Sequence, residues 1–425
     1  MKVKKILKPE IKQRIKQIQK SVVPEGYKKT KVGIVPDEWD DATLGSFGDF
    51  YKGKGIIKEQ LTKEGKNCVR YGEIYTTHDT VIKEFTSFVD EDVAYASTQI
   101  CKGDILFVGS GETPEDIGKS VAFMGEEEAY AGGDIIIFRQ NRENTLYLAY
   151  LLNGTEVNRQ RYKYGEGHSV VHLYMDDIKR ILVTLPPLPE QEKIAKILST
   201  WDKAIELKEQ LIAGKKQQKK WLMQNLLTGK KRLSGFTEEW QEVRLGEVCI
   251  VIMGQSPDSK AYNEDKAGIP LIQGNADCQG RLTKPRIWTT QITRICNVGD
   301  IIFTVRAPVG AVAIADQKAC IGRGVSVIRS KHNQHYQHYM YHYLLSIEDK
   351  WSRVSQGSTF DAINGDEIKK VIIRYPSESE QTAIAEILST ADREIDLHEK
   401  QLDELKKQKK ALMQLLLTGL VRVNV

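Results

Sequence analysis

The segment EQEKIAKILSTWD, Glu190 to Asp202, returns as EQTAIAEILSTAD, Glu380 to Asp392, 190 residues further along the chain. A repeat of that length means a duplicated module, and it dictates the architecture before any motif is considered. Aligned at that offset, 23 of the 40 positions from Glu190 to Gly229 are identical, so the two copies are expected to share one structure. Both read as long helices. In the second copy, apolar residues fall at Ile384, Leu388, Ala391, Ile395, Leu402, Leu405, Leu412 and Leu416, the alternating four-three spacing of a heptad seam, with polar His398 and Lys409 in the remaining slots. The first copy keeps the seam at Ile194, Leu198, Trp201, Ile205, Ile212, Leu222 and Leu226, interrupted by Lys208, Lys215 and Lys219.

Each helix begins after a proline-bearing segment, LPPLPEQ or YPSESEQ, and stops at a Thr-Gly pair whose glycine suits a left-handed C-terminal cap. Forty residues at about 1.5 Å each make a rod of roughly 60 Å. One rod with an apolar stripe needs a partner stripe, and the other copy is the nearest one. Because a globular domain separates them, the copies are expected to pack antiparallel. The intervening sequences are related more weakly: Gly33 to Trp39 followed by Leu44-Gly45 parallels Gly235 to Trp240 followed by Leu245-Gly246, and KGDILF (102–107) parallels VGDIIF (298–303). GHSVVHLYMDDIK (167–179) parallels GSTFDAINGDEIK (357–369).

The resulting fold class is α+β: two tandem mixed α/β domains and two long helices forming an antiparallel coiled coil, in a cyclic pseudo-twofold repeat. The expected division is a basic N-terminal arm (1–30), a first domain (31–185), a central helix (186–230), a second domain (231–375) and a C-terminal helix (376–425). LLTGLVRVNV at the C-terminus matches the start of LLTGKKRLSG, and its missing continuation resembles TKVGIVPDEW, so the two chain ends should lie close together. The arm, with Ile11, Ile15 and Ile18 on one helical face, would then dock beside the C-terminal rod or a partner.

At 425 residues the chain exceeds one ordinary core. It has no apolar run of the roughly 20 residues that span a bilayer and no apolar core for a signal peptide, so a cytoplasmic, membrane-free location is the default. Six scattered cysteines without a CxxC pair suggest neither disulfides nor a zinc knuckle and read as small packed residues. Net charge is only +5, but eleven Lys or Arg stand in residues 1–31 and seven in residues 214–233. Such runs fit a solvated helix face or, with supporting features, a polyanion partner.

Catalytic constellations fail on inspection. GSGETPEDIGKS (109–120) has six residues rather than four between Gly111 and Gly118-Lys119-Ser120, against the spacing of a phosphate loop. Asp37 with Glu64 and Lys66, and Asp258 with Glu264 and Lys266, match a nuclease spacing, but they sit in turn-rich sequence and do not recur between halves. His335, His338 and His342 share a helical face without counterparts in the first half, which favours a packed Tyr/Leu helix over a metal site. Ser169 has His168 and His172 near it, whereas Ser358 has none, against a shared hydrolytic site.

The duplicated EQxxIAxIL…LMQxLLTG helix, the EW…LG opening of each domain and the GDI(L/I)F strand resemble the specificity subunit of type I restriction-modification systems, over essentially the whole chain. The resemblance implies a non-catalytic subunit of an endonuclease/adenine methyltransferase complex. In it, each domain is a target recognition domain reading half of a split, asymmetric double-stranded DNA sequence. The helices set the gap, capped near 18 base pairs by a rod of roughly 60 Å, and dock two methyltransferase subunits, through which motor-nuclease subunits join. Cofactors are then expected on those partners, as S-adenosylmethionine, ATP and Mg, with none in this chain. Residues expected to contact DNA are Lys52, Lys54, Arg70, Tyr71, Tyr75, Lys163, His168 and Ser169 in the first domain. In the second they are Gln273, Asn275, Arg281, Arg306, Arg323, Gln356, Ser358 and Thr359. Arginine suits guanine, and Asn or Gln suits adenine, in the major groove. Trp201 is expected in the seam, and Trp221 facing the paired helix or a methyltransferase. The competing reading is a coiled-coil scaffold spacing two protein-binding domains.

Overall fold

The computed structural model describes residues 8–111, 117–164, 171–332, 334–355 and 362–424. The chain forms two compact units, Met1–Leu207 with Leu402–Val425, and Lys208–Gln401. Each contains one globular domain and one stretch of each long helix, Leu188–Leu226 and Glu378–Leu417.

In the first domain a central sheet runs in the order Asp49–Lys52, Ile135–Arg139, Ile105–Val108, Ser120–Phe123, Val81–Ile82. Its inner strands are near-continuous apolar runs because both faces are covered. Alternate side chains enter different cores: Ile105, Phe107, Ile136 and Phe138 meet the helix Thr145–Leu152 and the start of the first long helix. Leu106, Val108, Ile135 and Ile137 meet a second sheet of short strands, Leu61–Thr62, Ser87–Val89, Lys66–Val69, Ala129–Ala131 and Thr98–Ile100. The second domain repeats this: Ile301, Phe303 and Ile328 face the helix side, while Ile302, Val325 and Val327 face the second sheet. Its central sheet runs Cys249–Met253, Val325–Ser330, Ile301–Thr304, Val312–Ile314, Leu282–Thr283, Cys278–Gln279.

The Gly-Asp turn before the central strand has the same function in both domains. Buried Asp104 accepts from the backbone N–H of Cys101 (2.7 Å) and from Arg139 Nε and Nη2 (2.8 and 2.7 Å). Buried Asp300 does the same with Asn297 (2.7 Å) and Arg329 (2.7 and 2.5 Å). The acid fixes the turn, and the arginine at the end of the neighbouring strand neutralises it.

A second recurring lock closes each unit around the Glu-Gln pair at the start of its long helix. Glu190, 1% exposed, accepts from the Trp39 indole N–H (3.1 Å) and, in a bidentate pair, from Arg422 (2.7 and 2.8 Å). Glu380, also 1% exposed, accepts from Trp240 (2.9 Å) and Arg232 (2.6 and 2.7 Å). Gln191 and Gln381 each donate back to the proline carbonyl five residues earlier, Pro186 and Pro376 (2.8 and 2.7 Å). In the first unit the glutamate and arginine come from remote chain segments, and Tyr27 OH donates to Gly419 O (2.8 Å) while accepting from Arg14 (3.0 Å). The N-terminal helix Pro9–Gln19, with Ile15 buried, is thereby tied to the turn that ends the second long helix.

Within each unit the two helix stretches run antiparallel: Asp202 pairs with Lys409 in the first, where Glu190 meets Arg422, and Asp392 pairs with Lys219 in the second, where Lys208 meets Gln401. Every predicted seam residue is buried or half-buried, Trp201 among the latter. Two details differ from the sequence expectation. Ile194, Leu198 and Leu416 in one unit, and Ile384, Leu388 and Leu226 in the other, belong to the globular cores, so the seam merges into each domain at its ends. The lysines read as interruptions are interhelical partners: Lys208 donates to His398 (2.9 Å) and Gln401 (2.6 Å), Lys215 to Glu394 (2.8 Å), and Lys219 to Asp392. The basic run at 214–233 is therefore largely engaged within the chain, since Lys216 pairs with Glu399 (2.7 Å), Arg232 with Glu380, and Lys231 lies 4.7 Å from the ring centre of half-exposed Trp221.

Arg422→Ala removes one partner of a buried ion pair and leaves only an indole N–H on the carboxylate. It should destabilise the first unit by about 2–4 kcal/mol. Arg232→Ala should do the same to the second. Urea unfolding followed by tryptophan fluorescence checks both; unchanged midpoints would mean that the glutamates carry no such dependence.

Candidate nucleic-acid interface

The loop between Ala129–Ala131 and Ile135–Arg139 holds Gly132, Gly133 and Asp134, the last with φ +60°. The end of strand Asp49–Lys52 runs so close to it that a Cβ on Gly53 would overlap the Gly132 carbonyl oxygen. In the second domain a Cβ on Gly254 would overlap the Gly322 carbonyl in the same way, beneath the loop Gly322-Arg323-Gly324. Only glycine permits this approach, and it brings several of the predicted residues to one rim.

Two clefts flank the Gly132–Asp134 loop. One, of about 500 Å³, is lined by Ile57, Lys58, Arg70, Tyr71, Glu73 and Thr76. Tyr71 is 39% exposed, its ring centre 6.4 Å from that of Tyr75. Arg70 is less available than the sequence suggests, because its guanidinium donates to buried Glu73 (3.3 and 3.1 Å), whose carboxylate also accepts from the Arg70 backbone and from Ser87. The other cleft, of about 330 Å³, is lined by Lys52, Ser110, Asp134, His172, Tyr174 and Asp176. Ser110 and His172 face each other across a two-residue ladder, Ser110 Oγ lying 3.0 Å from His172 Nδ1. Lys54 is exposed on the strand end beside the loop, its backbone N–H on Ala131 O (3.2 Å). Lys163 is exposed near the end of the helix Thr155–Tyr164.

In the second domain Gln273 and Arg323 converge with Ser256 at the Gly322–Gly324 loop: Arg323 N donates to Ser256 Oγ (3.1 Å), and a Cβ on Gly324 would overlap the Gln273 carbonyl. Asn275 is exposed at the start of the turn that follows. Gln273 N donates to buried Asp277 (2.8 Å), as Arg70 N does to Glu73. Arg306 is exposed and pairs with Ala362 through a backbone bridge. Arg281 stands apart, bound by Glu348 through both Nη atoms (2.6 and 2.8 Å). His168, Ser169, Gln356, Ser358 and Thr359 lie outside the described residues.

Sequence reasoning missed His172 and Tyr174 as rim residues, and buried Ser110 behind them. The signal was present: Arg306 was selected, and the KGDILF and VGDIIF alignment puts Ser110 at the same place. The lysines of the phosphate-loop and nuclease spacings are engaged elsewhere. Lys119 donates to His78 O (3.0 Å) and Lys66 to Glu128 (2.6 Å), while Lys266 lies 5.6 Å from the Trp288 ring centre. His342 is buried with Nε2 3.1 Å from Ser389 Oγ, and burial pushes its pKa down to about 3, so it is a neutral core histidine. No group of three metal-ligating side chains occurs among the described residues, nor any helix long and apolar enough to cross a membrane. Four cysteines are buried; Cys101 is exposed, unlike the packed position expected for all six.

Residues 36–214 and 237–407 match the family model described as the type I restriction modification DNA specificity domain. The MjaX type I restriction enzyme specificity subunit of Methanocaldococcus jannaschii is 32% identical over 391 residues, 87% of this chain and 92% of that protein. The MjaVIII specificity subunit of the same organism is 24% identical over 417 residues, 91% and 94%. Among solved structures, a chain described for complex assembly and conformational transition of the type I R-M system superposes with a TM-score of 0.60 at 25% identity, covering 91% of this chain and 99% of that one. The type I S subunit from M. genitalium also superposes at 0.60, with 15% identity over 91% and 96%, a likeness of fold. Both globular domains and most of each long helix lie within the matched residues, and the chain belongs to the type I restriction-modification DNA specificity family as a non-catalytic specificity subunit.

Proposed function

We propose that each globular domain reads one half of a split, asymmetric DNA target, that the paired helices set the gap between the half-sites, and that they dock methyltransferase subunits. One observation carries the reading: the two domains share a framework while the side chains at its rim differ. Gly53 and Gly254 let corresponding loops reach the rim, and the Asp104–Arg139 and Asp300–Arg329 pairs fix the opposite ends of the same strands. On that framework Arg70 answers to Gln273, Ser110 to Arg306, and His172 to Ala362. Identical rims would suit two identical half-sites; these suit an asymmetric sequence. The rim residues offered for contact are Lys52, Lys54, Tyr71, Gln273, Asn275, Arg306 and Arg323, which mix cations for phosphates with amides and arginines for base edges.

The helices, 39 and 40 residues long, share their sequence pattern and so offer matched surfaces to matched partners. Chemistry in the assembled complex then belongs to those partners: methyl transfer from S-adenosylmethionine by the methyltransferases, and ATP- and Mg-dependent work by motor-nuclease subunits. Methylation requires an adenine to leave the stack, and the specificity subunit contributes the grip that holds the duplex meanwhile.

Titration of the chain, alone and with methyltransferase subunits, against duplex DNA should give a steep negative log-log dependence of affinity on salt. Absence of DNA binding in both cases would favour a scaffold for protein-binding domains instead. Inserting one heptad into both long helices should lengthen the unread gap and leave both half-sites unchanged, as mapped by sites of adenine methylation; altered half-sites would contradict the spacer function. Replacing residues 40–180 by the corresponding domain of another specificity subunit should change one half-site only, and a change in both would refute independent reading.

A further inference from the structure

The cleft beside Ser110 is where the two domains match in backbone and differ in chemistry. Ser110 pairs with His172 across a short ladder, and at the corresponding register of the second domain Arg306 pairs with Ala362. Ser110 is buried, and its contact of 3.0 Å engages Nδ1 of exposed His172 and leaves Nε2 for an external partner. The ring of Tyr174, 58% exposed, stacks at 6.4 Å from the imidazole and inclines by only 25°. The cleft also holds Lys52, Asp134 and Asp176, the last paired with Lys179 (3.0 Å). Carboxylates accept hydrogen bonds from the amino groups of bases.

We propose that positions 110 and 172 form a base-reading pair of the first domain, in which exposed His172 contacts a base edge of its half-site and buried Ser110 orients the ring, and that Arg306 with Ala362 is the corresponding pair of the second. This rests on the DNA-reading function proposed above. The ladder holds both side chains at a fixed separation, so the pair acts as an exchangeable cassette: Ser with His on one domain, and on the other an arginine, which suits guanine, opposite a methyl group that leaves it room.

The test uses the chain assembled with its methyltransferase subunits and selection from randomised duplexes, with His172→Ala, His172→Gln, the double variant S110R/H172A and the reciprocal R306S/A362H. The His172 variants should lose roughly ten- to hundred-fold of discrimination at one or two positions of one half-site. The other half-site, the salt slope and the melting temperature should stay unchanged. S110R/H172A should move the affected position toward guanine, and R306S/A362H should act on the other half-site alone. Unchanged preferences in correctly melting variants would overturn the inference. So would a uniform loss of affinity with a shallower salt slope, which marks a phosphate contact. A wild-type complex that selects no sequence at all would instead sink the DNA-reading function itself.

Discussion

A glutamate taken out of water at the first turn of each long helix is the constraint around which both units are built. A buried carboxylate is costly unless charge and hydrogen bonds compensate it, and here an arginine fork and an indole N–H do so in both units. Those three groups come from the helix, the turn after the partner helix, and the first strand-bearing segment of the domain. Satisfying one carboxylate therefore fixes where all three meet. In the second unit glutamate and arginine are 148 residues apart, in the first 232. Loop-closure entropy grows only with the logarithm of separation, so the longer connection costs about 0.4 kcal/mol more. That is small beside the ion pair, which explains how one lock can operate on two different chain connectivities.

Charge is distributed by the same logic. Much of the lysine-rich stretch that looks available for a polyanion is consumed by acids on the neighbouring helix, including Lys215, Lys216 and Lys219. Attraction for DNA has to come from side chains on the loops, where the net charge of +5 is less important than which cations lack an internal acid. Arg281, Arg139 and Arg329 are committed to Glu348, Asp104 and Asp300, whereas Arg323 engages the framework through its backbone N–H to Ser256. Arginine counts from sequence overstate the reading surface for this reason.

The long helices, their seam and the duplication were legible because each leaves a periodic trace in the sequence. Roles that depend on a partner far along the chain left no such trace. The Glu-Gln pair looked like part of a helix repeat, yet Glu190 answers to Trp39 and Arg422. The GDI(L/I)F segment looked like a strand alone, yet Asp104 needs Arg139. Lys208, Lys215 and Lys219 looked like defects in an apolar stripe because their partners sit on the other helix. The second sheet was invisible for a different reason: strands of two to four residues, such as Leu61–Thr62 and Lys66–Val69, are too short for an alternating pattern to show. At the rim, residue type pointed to Arg306 and missed Ser110, since an arginine attracts attention and a serine does not, although the backbone treats the two positions alike.

The packing beneath the rim shows how the reading surface can vary without disturbing the fold. In the first domain the strand end carries Lys52 and the following helix begins with Met175; in the second, the corresponding residues are Met253 and Gly365. Met253 lies against Gly365, where an added Cβ would sit 3.1 Å from its Cγ. A methionine thus stands at this place in both domains, delivered from the helix in one and from the strand in the other. Methionine is unbranched and conforms to irregular gaps, so the exchange roughly conserves volume under the same backbone. Where the methionine comes from the helix, the strand position carries a lysine to the rim; where it comes from the strand, that position is apolar and the neighbouring bridge carries Arg306 instead. The cation on the rim thus changes place between the domains, Lys52 at the strand end in one and Arg306 at the bridge in the other.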